Sequence, residues 1–350
     1  MKKTDILKFL FFATKPYSFP ILEPLQNYIN KTNCGKVCWF LASTARDYEC
    51  PGNELKHNDE VMQYGPDVVV APGNIIPDFW SGLKVQIFHG LDDEVKGFYN
   101  ISGFFDLYCT TGPEMTKKFL QLSKKYRHFY VIETGWPKLD PIYSDDWKPN
   151  KKGICKQFGL NDKSPIILYA PTFPQKYTSA FDLYEVIRDL KQYTWIIKFH
   201  SMMNEDIKNR YLSLQSDNLF IINEVNILPL MAASDILVTD TSSVAYEFLH
   251  FDKPIITYKA KARKDKGLNI VDPIELFPAI ERCLNDPDEF KVNRKIYMDD
   301  THPYYDGNSS NRLINGVQKI LIERLHKTLK NKPLNIFRKY QIRKIVNSRA

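Results

Sequence analysis

Short, almost wholly apolar segments alternate along this chain with longer amphipathic ones, and this alternation constrains the fold more than any other sequence feature. Near-continuous apolar runs of roughly four to eight residues are typical of strands buried on both faces of a parallel sheet. Amphipathic segments between them supply the helices that cover such a sheet. In the first half of the chain the predicted strands cover 6–13, 36–42, 67–71, 84–89, 105–110 and 129–134, and the predicted helices cover 21–30 and 113–125.

The alternation stops at "PIYSDDWKPNKKG" (141–153), a segment rich in Pro, Asp and Lys, which indicates a domain boundary. We therefore predict one doubly wound α/β domain at 1–145 and a second at 146–320, followed by a C-terminal tail at 321–350. The second domain's predicted strands cover 165–170, 194–200, 218–222, 235–240 and 253–258, and its predicted helices cover 180–191, 203–215, 227–233 and 242–250.

The N-terminal segment "MKKTDILKFLFFA" has the lysines and the short apolar stretch of a signal peptide. However, Asp5 and Lys8 interrupt it and no small-residue cleavage site follows, so we interpret it as a first buried strand. No apolar run reaches the roughly 18–20 residues of a membrane span. The six cysteines form no pair of CxxC motifs, so we expect reduced thiols, no zinc and a cytoplasmic protein.

Polar or conformationally permissive residues follow the predicted strands in both halves of the chain. These positions matter because open parallel sheets bind ligands at the carboxyl ends of their strands. The first half places His89 and Gly90 there, and the second half places Thr172, His200 and the segment 240–243 there. The pattern predicts an active-site cleft between two domains that face each other.

The segment "VTDTSSVAYEF" (238–248) passes from a predicted strand to a predicted helix through Asp240, Thr241, Ser242 and Ser243. Ser and Thr at such a place cap the unpaired N–H groups of the helix, which is the simpler interpretation. The same N–H groups, together with the hydroxyls, also form a seat for a phosphate. Three successive hydroxyls exceed what capping requires and favour the phosphate site. An ordinary ATPase is not indicated, because the chain has no Gly-rich P-loop.

The segment "IFHGLDDEVKG" (87–97) places His89 where a strand ends, and Gly90 allows a sharp turn. A histidine at such a position can act as a general base near neutral pH, although a lone histidine is more often structural. Asp92 or Asp93 would orient the imidazole and Lys96 would contact a phosphate. The simpler interpretation of these three is a solvated charged surface.

The segment "IIKFHS" (196–201) supplies His200 at another strand end, with Lys198 two residues before it and therefore on the same face of the strand. This pair would stabilise negative charge on a transferring phosphoryl group. The alternative is an ordinary histidine at a sheet edge. The segment "DGNSS" (306–310) has the composition of a turn followed by a capped helix.

The motifs appear in a recognisable order: "FHG" at 88–90, "ETGWPKLD" at 133–140, "ILYAPTF" at 167–173, "IIKFH" at 196–200, "SDILVTDTSSVAYEFLHFDKPII" at 234–256 and "YDGNSSNR" at 305–312. Over roughly residues 80–315 the sequence resembles the CDP-glycerol glycerophosphotransferase family of teichoic-acid primases and polymerases. The resemblance implies a GT-B architecture, with two Rossmann-like domains and the active site between them. It also implies transfer of glycerol phosphate from CDP-glycerol to an acceptor hydroxyl, with release of CMP.

Carried onto this chain, the resemblance makes His89 the base on the acceptor and gives His200 a contact with the donor diphosphate. Ser242 and Ser243 would seat the phosphates, and Asp306 would lie near the donor site. The other residues expected on the donor side are Thr172, Lys198, Asp240, Thr241 and Glu247.

The sequence departs from the family pattern at several positions. "APTFPQKY" stands where the family has "APTWR", so the cation of that motif is displaced or is replaced by Lys176, and Thr241 replaces a Tyr. Glu247 stands where Asp is common, Lys138 replaces Arg, and Ser201 replaces a frequent Pro. These departures leave the donor open: its transferred group is glycerol phosphate, ribitol phosphate, another polyol phosphate or a sugar.

Basic residues are concentrated at the C-terminus, where His326–Ala350 contains eight Lys or Arg and no acid. The net charge of +7 is therefore a property of this tail, and residues 1–325 sum to about −1. Apolar residues are interspersed with the basic ones, as in an amphipathic helix lying on an anionic membrane surface. A solvated terminal helix is the alternative. No nucleic-acid recognition fold accompanies the tail, so we expect no nucleic-acid partner.

Three functions remain open from the sequence. The first is an enzyme that transfers a polyol phosphate from a CDP-activated donor to a lipid-linked or glycan acceptor, in synthesis of a teichoic-acid-like polymer, capsule or lipopolysaccharide. The second is a GT-B glycosyltransferase with a nucleotide-sugar donor, and the third is a catalytically silent, membrane-associated binding protein. For the first we expect a cytoplasmic protein, peripheral on the inner face of the cell membrane. No carboxylate pair stands out as a metal site, and a divalent metal requirement is left open.

Overall fold

The computed structural model of this chain describes residues 6–90, 97, 99–144, 147, 151–173 and 179–347. These residues form two compact units, each built on its own six-stranded parallel sheet. Unit 1 comprises Met1–Asp146 together with Asp300–Ala350, and unit 2 comprises Trp147–Asp299. The predicted fold class, two doubly wound parallel α/β domains, is confirmed.

The sheet of unit 1 has the strand order β2-β1-β3-β4-β5-β6. Its strands are β1 (Leu7–Ala13), β2 (Gly35–Leu41), β3 (Val68–Ala71), β4 (Leu83–Gln86), β5 (Leu107–Thr110) and β6 (Tyr130–Glu133). The apolar runs form strands because both faces of the sheet are covered: in β1 only Lys8 is exposed. One face packs around Leu10, Phe12, Phe40 and Tyr108.

The helices of unit 1 are α1 (Phe19–Thr32), α2 (Asn58–Tyr64), α3 (Pro113–Tyr126), α11 (Ser309–Ile322) and α12 (Ile336–Asn347). Helix α3 begins with Pro113, whose missing N–H costs nothing at a first helical position. It ends at Tyr126, and the next residue, Arg127, has a left-handed backbone conformation and donates its N–H to the Ser123 carbonyl. Its buried residues, Met115 and Phe119, join the core cluster of the sheet.

Helix α11 packs in unit 1 against α1 and the 3-10 segment Pro137–Tyr143. The Tyr28 hydroxyl on α1 donates to the Asn311 side chain at 2.8 Å. Residues 300–320, which the sequence predicts to be part of the second domain, belong to unit 1 instead. The physical reason is that the apolar face of α11 (Leu313, Ile314, Val317 and Ile320) is buried there.

The segment predicted as a basic tail also belongs to unit 1. Ile342 and Val346 of α12 are 1% and 2% exposed and lie in the core cluster of the first sheet. Before the helix, Lys332 pairs with Asp106 at 2.5 Å, and the Asn335 side chain donates to the Ser102 carbonyl at 2.7 Å. The segment is therefore basic and amphipathic, as expected, but its apolar face at these positions covers unit 1.

The sheet of unit 2 has the strand order β12-β11-β10-β7-β8-β9. Its strands are β7 (Ile166–Tyr169), β8 (Thr194–Ile197), β9 (Leu219–Ile221), β10 (Ile236–Thr239), β11 (Ile255–Tyr258) and β12 (Leu268–Ile270). Its helices are α4 (Lys151–Phe158), α5 (Tyr184–Asp189), α6 (Glu205–Leu212), α7 (Leu228–Ala233), α8 (Val244–Phe248), α9 (Leu276–Asn285) and α10 (Lys291–Thr301), the last of which ends in unit 1. Tyr169, Trp195 and Val238 belong to a core cluster on one face of this sheet.

All eleven strands expected from the sequence are present, and β12 is an addition to them. Two of the strands end three residues earlier than expected: β4 stops at Gln86 and β8 stops at Ile197. His89, Lys198 and His200 therefore lie in the loops beyond the strands. Among the described residues, no helix combines the length and the apolar character needed to cross a membrane.

Candidate functional site

In unit 2 the central strands β10, β7 and β8 are neighbours, so the loops at their carboxyl ends meet along one sheet edge. The loop after β10 carries Asp240 to Ser243, the loop after β7 carries Thr172, and the loop after β8 carries Lys198 and His200. Within unit 2 the structure thus brings Thr172, Lys198, His200 and residues 240–243 to one sheet edge. Glu247 lies within α8, and Asp306 belongs to unit 1.

Asp240 is 1% exposed and binds the loop after β7. One carboxylate oxygen accepts the Thr172 N–H at 2.9 Å, and the other accepts the N–H and the hydroxyl of Ser179 at 2.9 and 3.0 Å. Burial raises the pKa of Asp240 to about 6, although these hydrogen bonds oppose the shift. The carboxylate therefore faces protein donors and orders the loop that carries Thr172.

The three hydroxyl residues Thr241, Ser242 and Ser243 are half-buried. Ser243 is the N-cap of α8, but its side chain makes no capping hydrogen bond in the described structure. Ser242 accepts the Val244 N–H through its hydroxyl oxygen at 3.4 Å, a long contact. Helix capping therefore explains few of the hydroxyl groups in this segment. Helix α8 is itself only five residues long. Glu247, on the same helix, is 5% exposed and less accessible than the hydroxyls.

The His200 imidazole is held in one orientation by two contacts. It stacks on the Phe173 ring, with centroids 4.5 Å apart and planes 24° apart. Its Nδ1 accepts the backbone N–H of Met202 at 3.1 Å. In the neutral ring the proton therefore lies on Nε2, which makes Nε2 a hydrogen-bond donor. The Lys198 ammonium donates to the Phe199 carbonyl at 3.2 Å in the same loop.

In unit 1 His89 follows β4 and is half-buried. Its Nδ1 lies 3.3 Å from the Pro72 carbonyl oxygen, and its ring stacks on Tyr17 with centroids 5.0 Å apart. A carbonyl can only accept, so Nδ1 carries the proton and the lone pair of the neutral ring is on Nε2. The preceding residue is fixed as well, because the buried Trp136 indole donates to the Phe88 carbonyl at 2.7 Å.

Gly90 is buried beside His89. Asp92, Asp93 and Lys96, expected to orient the base or contact a phosphate, lie outside the described residues, as does Lys176.

Asp306 belongs to unit 1, which includes residues 300–350, whereas the other expected donor-side residues belong to unit 2. It is exposed, accepts the Asn308 N–H at 3.1 Å and pairs with Arg312. A second acid, Asp140 of the segment 133–140, is buried against the start of α11 and accepts the N–H groups of Ser309 and Ser310. The two motif segments 133–140 and 305–312 are thus joined by hydrogen bonds at the start of α11.

The loop after β11, residues 259–266, is a cationic feature that the sequence reasoning missed. Its sequence "KAKARKDK" has five cations in eight residues directly after a predicted strand, which was the available signal. Lys266 is 4% exposed and donates to the Arg263 carbonyl at 3.0 Å. Both cations lie near the Tyr246 ring of α8, with Arg263 at 5.6 Å and Lys266 at 5.7 Å from its centroid. Strand β11 adjoins β10, so this loop lies at the same sheet edge as the hydroxyl residues.

A metal-ion site was left open by the sequence. Within the described part of the chain, no group of three or more His, Cys, Asp or Glu side chains is arranged to hold a metal ion.

Two parallel α/β units, with polar loops at the carboxyl ends of their strands, define a protein of the GT-B class. The chain belongs to the CDP-glycerol:poly(glycerophosphate) glycerophosphotransferase family, whose sequence profile matches residues 84–319. The resemblance inferred from the motifs is therefore confirmed, and the matched range includes both His89 and the segment 234–256.

Several curated relatives are teichoic-acid enzymes. The teichoic acid glycerol-phosphate primase of Bacillus subtilis (strain 168) is 29% identical over 242 residues, which cover 65% of this chain and 61% of the relative. The teichoic acid ribitol-phosphate polymerase TarK of Staphylococcus aureus is 24% identical over 208 residues, covering 53% of this chain and 40% of the relative. This chain thus matches less than two thirds of the length of these curated relatives.

Solved structures show the same fold at low sequence identity. The wall teichoic acid polymerase TagF superposes with a TM-score of 0.71 and 17% identity, covering 91% of this chain and 90% of that chain. A putative UDP-N-acetylglucosamine 2-epimerase from Listeria monocytogenes has a TM-score of 0.65 and 14% identity, covering 94% and 99%. Because the architecture also occurs in a protein named as an epimerase, the fold alone does not decide the chemistry.

Proposed function

We propose that this chain transfers a polyol phosphate, most simply glycerol phosphate, from a CDP-activated donor to a hydroxyl of a lipid-linked or glycan acceptor. CMP is the leaving group, and the product belongs to a cell-surface polymer of the teichoic-acid, capsule or lipopolysaccharide kind. Family membership across residues 84–319 supports this chemistry. The polymer class is supported by the names of the relatives, two of which are a glycerol-phosphate primase and a ribitol-phosphate polymerase.

The observation that carries the proposal is that the two histidines have different partners at Nδ1, a carbonyl oxygen for His89 and a backbone N–H for His200. His89 donates from Nδ1 to the Pro72 carbonyl, which leaves Nε2 as the basic nitrogen. His200 accepts at Nδ1 from the Met202 N–H, which leaves Nε2 as the donor. Phosphoryl transfer between hydroxyls needs one group of each kind: a base for the incoming hydroxyl and a donor for phosphate oxygens.

In the proposed reaction the acceptor hydroxyl attacks the phosphorus that carries the polyol. A new P–O bond forms on that phosphorus while its bond to the bridging oxygen breaks, and the bridging oxygen leaves with CMP. The acceptor proton passes to His89 Nε2. His200, the hydroxyls of Ser242 and Ser243 and the cations Lys198 and Arg263 are assigned to the phosphate oxygens, where they balance the developing negative charge.

The test is donor turnover by purified protein with a membrane extract as acceptor. CDP-glycerol, CDP-ribitol and a panel of nucleotide sugars are supplied separately, and the released nucleotide is identified by chromatography. We expect CMP from a CDP-polyol, and His89→Gln to lower its release by about 10²–10⁴-fold, the range for loss of a general base. The matched control is His57→Asn, which removes an exposed imidazole at the N-cap of α2 and keeps a good capping residue.

The other outcomes identify the competing functions. UDP, GDP or CDP released from a sugar donor would make the chain a glycosyltransferase. Absence of turnover with every donor, with nucleotide binding unchanged in His89→Gln, would make it a binding protein. An EDTA arm with added Mg²⁺ or Mn²⁺ decides the metal requirement, for which the described residues offer no ligand cluster.

We further propose that the segment 326–347 rests on the anionic inner face of the cell membrane, where a lipid-linked acceptor is held. Its apolar side chains divide into two sets. Ile342 and Val346 are buried in unit 1, whereas Leu334, Ile336, Phe337 and Tyr340 are 75%, 68%, 87% and 60% exposed. Lys and Arg residues are interspersed with the exposed set along the sequence, as in helices that lie in a membrane interface.

Vesicle flotation tests this surface. The protein should float with vesicles of phosphatidylglycerol and phosphatidylcholine, and less with phosphatidylcholine alone. The double variant Ile336→Ser/Phe337→Ser should lose flotation while its melting temperature stays unchanged. Phe277→Ser, at an exposed phenylalanine of unit 2, is the control and should float like the parent. Equal flotation of the parent and the double variant would contradict the proposal.

A further inference from the structure

Tyr17 lies directly against the base assigned in unit 1. Its ring and the His89 imidazole are nearly parallel, with centroids 5.0 Å apart and planes 25° apart. We propose that Tyr17 is a positioning residue that holds His89 in its Nδ1–H tautomer and its reactive orientation. This inference rests on the proposed role of His89 as the base.

The chain path explains why Tyr17 can do this. Strands β1, β3 and β4 are neighbours in the sheet, so the loops after them lie side by side. Those loops carry Tyr17, Pro72 and His89 respectively. The imidazole therefore receives its ring contact from one neighbouring loop and its Nδ1 contact from the other.

The backbone around Tyr17 is fixed on both sides. Tyr17 is the middle residue of the single 3-10 turn Pro16–Ser18, and both of its neighbours in this turn are buried. Pro16 restricts the backbone at the start of the turn. The Ser18 N–H donates to the Lys15 carbonyl at 3.0 Å, and the next residue, Phe19, packs its ring on Trp39 at 5.9 Å. Because the backbone of this turn is fixed, the Tyr17 ring keeps one orientation.

Tyr17 also reaches the loop that supplies the carbonyl. Its hydroxyl and the Thr14 hydroxyl lie 4.0 and 3.9 Å from the position that a Cβ would take at Gly73. Gly73 directly follows Pro72, so the tyrosine lies beside the same backbone that binds His89 Nδ1. One side chain thus contacts the base and approaches the segment that fixes its tautomer.

The stack has two consequences for proton transfer. It restricts rotation of the imidazole, so that Nδ1 stays on the carbonyl and Nε2 keeps one direction. When Nε2 takes the acceptor proton, the imidazolium lies over an aromatic face, which attracts a cation. Both effects need the ring of Tyr17 and neither needs its hydroxyl.

The test uses Tyr17→Leu, which removes the ring, and Tyr17→Phe, which keeps it. Tyr48→Leu is the matched control, because Tyr48 is another tyrosine of unit 1 that packs on Phe19. The first readout is the ring ¹⁵N spectrum of protein labelled at histidine, with the His89 signals assigned by their absence in His89→Gln. We expect the Nδ1–H pattern in the parent, Tyr17→Phe and Tyr48→Leu, and a mixture of tautomers in Tyr17→Leu.

The second readout is turnover of the donor found active. Tyr17→Leu should lower kcat by about tenfold to a hundredfold, the range for a misplaced catalytic group, and leave the donor KM unchanged. Tyr17→Phe should stay within about twofold of the parent, since it keeps the ring that sustains both effects.

The outcomes separate this inference from the proposed function. An unchanged His89 tautomer in a folded Tyr17→Leu, or a tenfold loss in Tyr17→Phe, would overturn the role of Tyr17. If Tyr17→Leu does not fold, the parent protein supplies the test. Absence of nuclear Overhauser effects between the rings of Tyr17 and His89 in the parent would also overturn the role of Tyr17. A tautomer change without turnover of any CDP-polyol would leave the positioning contact standing and refute the proposed function.

Discussion

Asp140 and Ser309 are 169 positions apart in the sequence and are joined by a hydrogen bond of 2.8 Å from the Ser309 N–H to the Asp140 carboxylate. The other carboxylate oxygen accepts the Ser310 N–H at 2.7 Å. An anion at this place satisfies two of the unpaired N–H groups of α11 and complements the positive end of its dipole. Two of the motifs that carry the family resemblance are thus held together by a helix cap.

Removing this cap should destabilise unit 1. We expect Asp140→Ala to cost about 2 kcal/mol, because two buried N–H groups lose a charged acceptor. The matched variant is Asp306→Ala, which removes an exposed acid and its ion pair with Arg312 and should cost less than about 1 kcal/mol. Urea unfolding of both variants checks the difference. An unchanged donor KM in Asp306→Ala would also rule out a donor contact for that residue.

Asp240 should make the stability of unit 2 depend on pH. Its pKa is raised to about 6 in the folded protein from 3.8, so the folded state holds the proton more tightly than the unfolded chain. The associated stability is fully present below about pH 4 and is lost as pH rises through about 6, a loss of about 3 kcal/mol. Urea titrations from pH 4 to 7, read by hydrogen exchange in β7 and β10, should show this loss relative to Asp240→Asn. A constant difference between the two proteins would contradict the expectation.

Gly135 should tolerate no side chain. Its φ is 78°, and a Cβ there would lie 2.5 Å from the Ser309 hydroxyl and 2.9 Å from the Tyr304 ring. We expect Gly135→Ala to cost about 3 kcal/mol or more, from backbone strain and steric overlap together. Gly65→Ala isolates the strain: its φ is 58° and its Cβ would meet no heavy atom nearer than 4.0 Å. That variant should cost about 1 kcal/mol. If Gly135→Ala and Gly65→Ala lost equal stability in thermal unfolding, the steric overlap expected at Gly135 would be relieved in the variant.

The buried face of α12 should be essential to unit 1. Ile342 is 1% exposed in the core cluster, so Ile342→Ala should cost about 3 kcal/mol. Ile336, six residues earlier on the same helix, is 68% exposed, and Ile336→Ala should change stability by less than about 0.5 kcal/mol. Denaturant unfolding of the pair checks this. Similar values would mean that the helix is not docked in solution.

The strands could be predicted because their signal is local. Eleven apolar runs became strands within a few residues of the expected bounds, since a strand covered on both faces must be apolar throughout. The missed strand, β12, has only three residues with Asn269 in the middle, and it lies at the sheet edge. Such a short strand is defined by its partner β11 rather than by its own composition.

The assignment of α11 to unit 1 had no local signal. An apolar helix face carries no information about which sheet it will cover, so the domain boundary near 300 could not be predicted. The tautomers of His89 and His200 also had no local signal in the sequence. Their partners are the backbone atoms of Pro72 and Met202, and no side-chain pattern reports where a backbone group will point. The candidate site residues were chosen from the sequence by residue type, and the contacts from which their tautomers are inferred required the structure.

Unit 1 is made of two stretches of chain, and unit 2 is the single stretch between them. During synthesis on the ribosome, unit 2 is therefore complete while the first sheet still lacks α11 and α12. That sheet emerges early with part of its core uncovered, and it stays so until Ile342 and Val346 arrive. We expect nascent chains halted after residue 330 to contain a protease-resistant unit 2 and a digestible unit 1, which pulse proteolysis of stalled ribosomes would measure. Helix α12, which is synthesised after all of unit 2, therefore completes the core of unit 1.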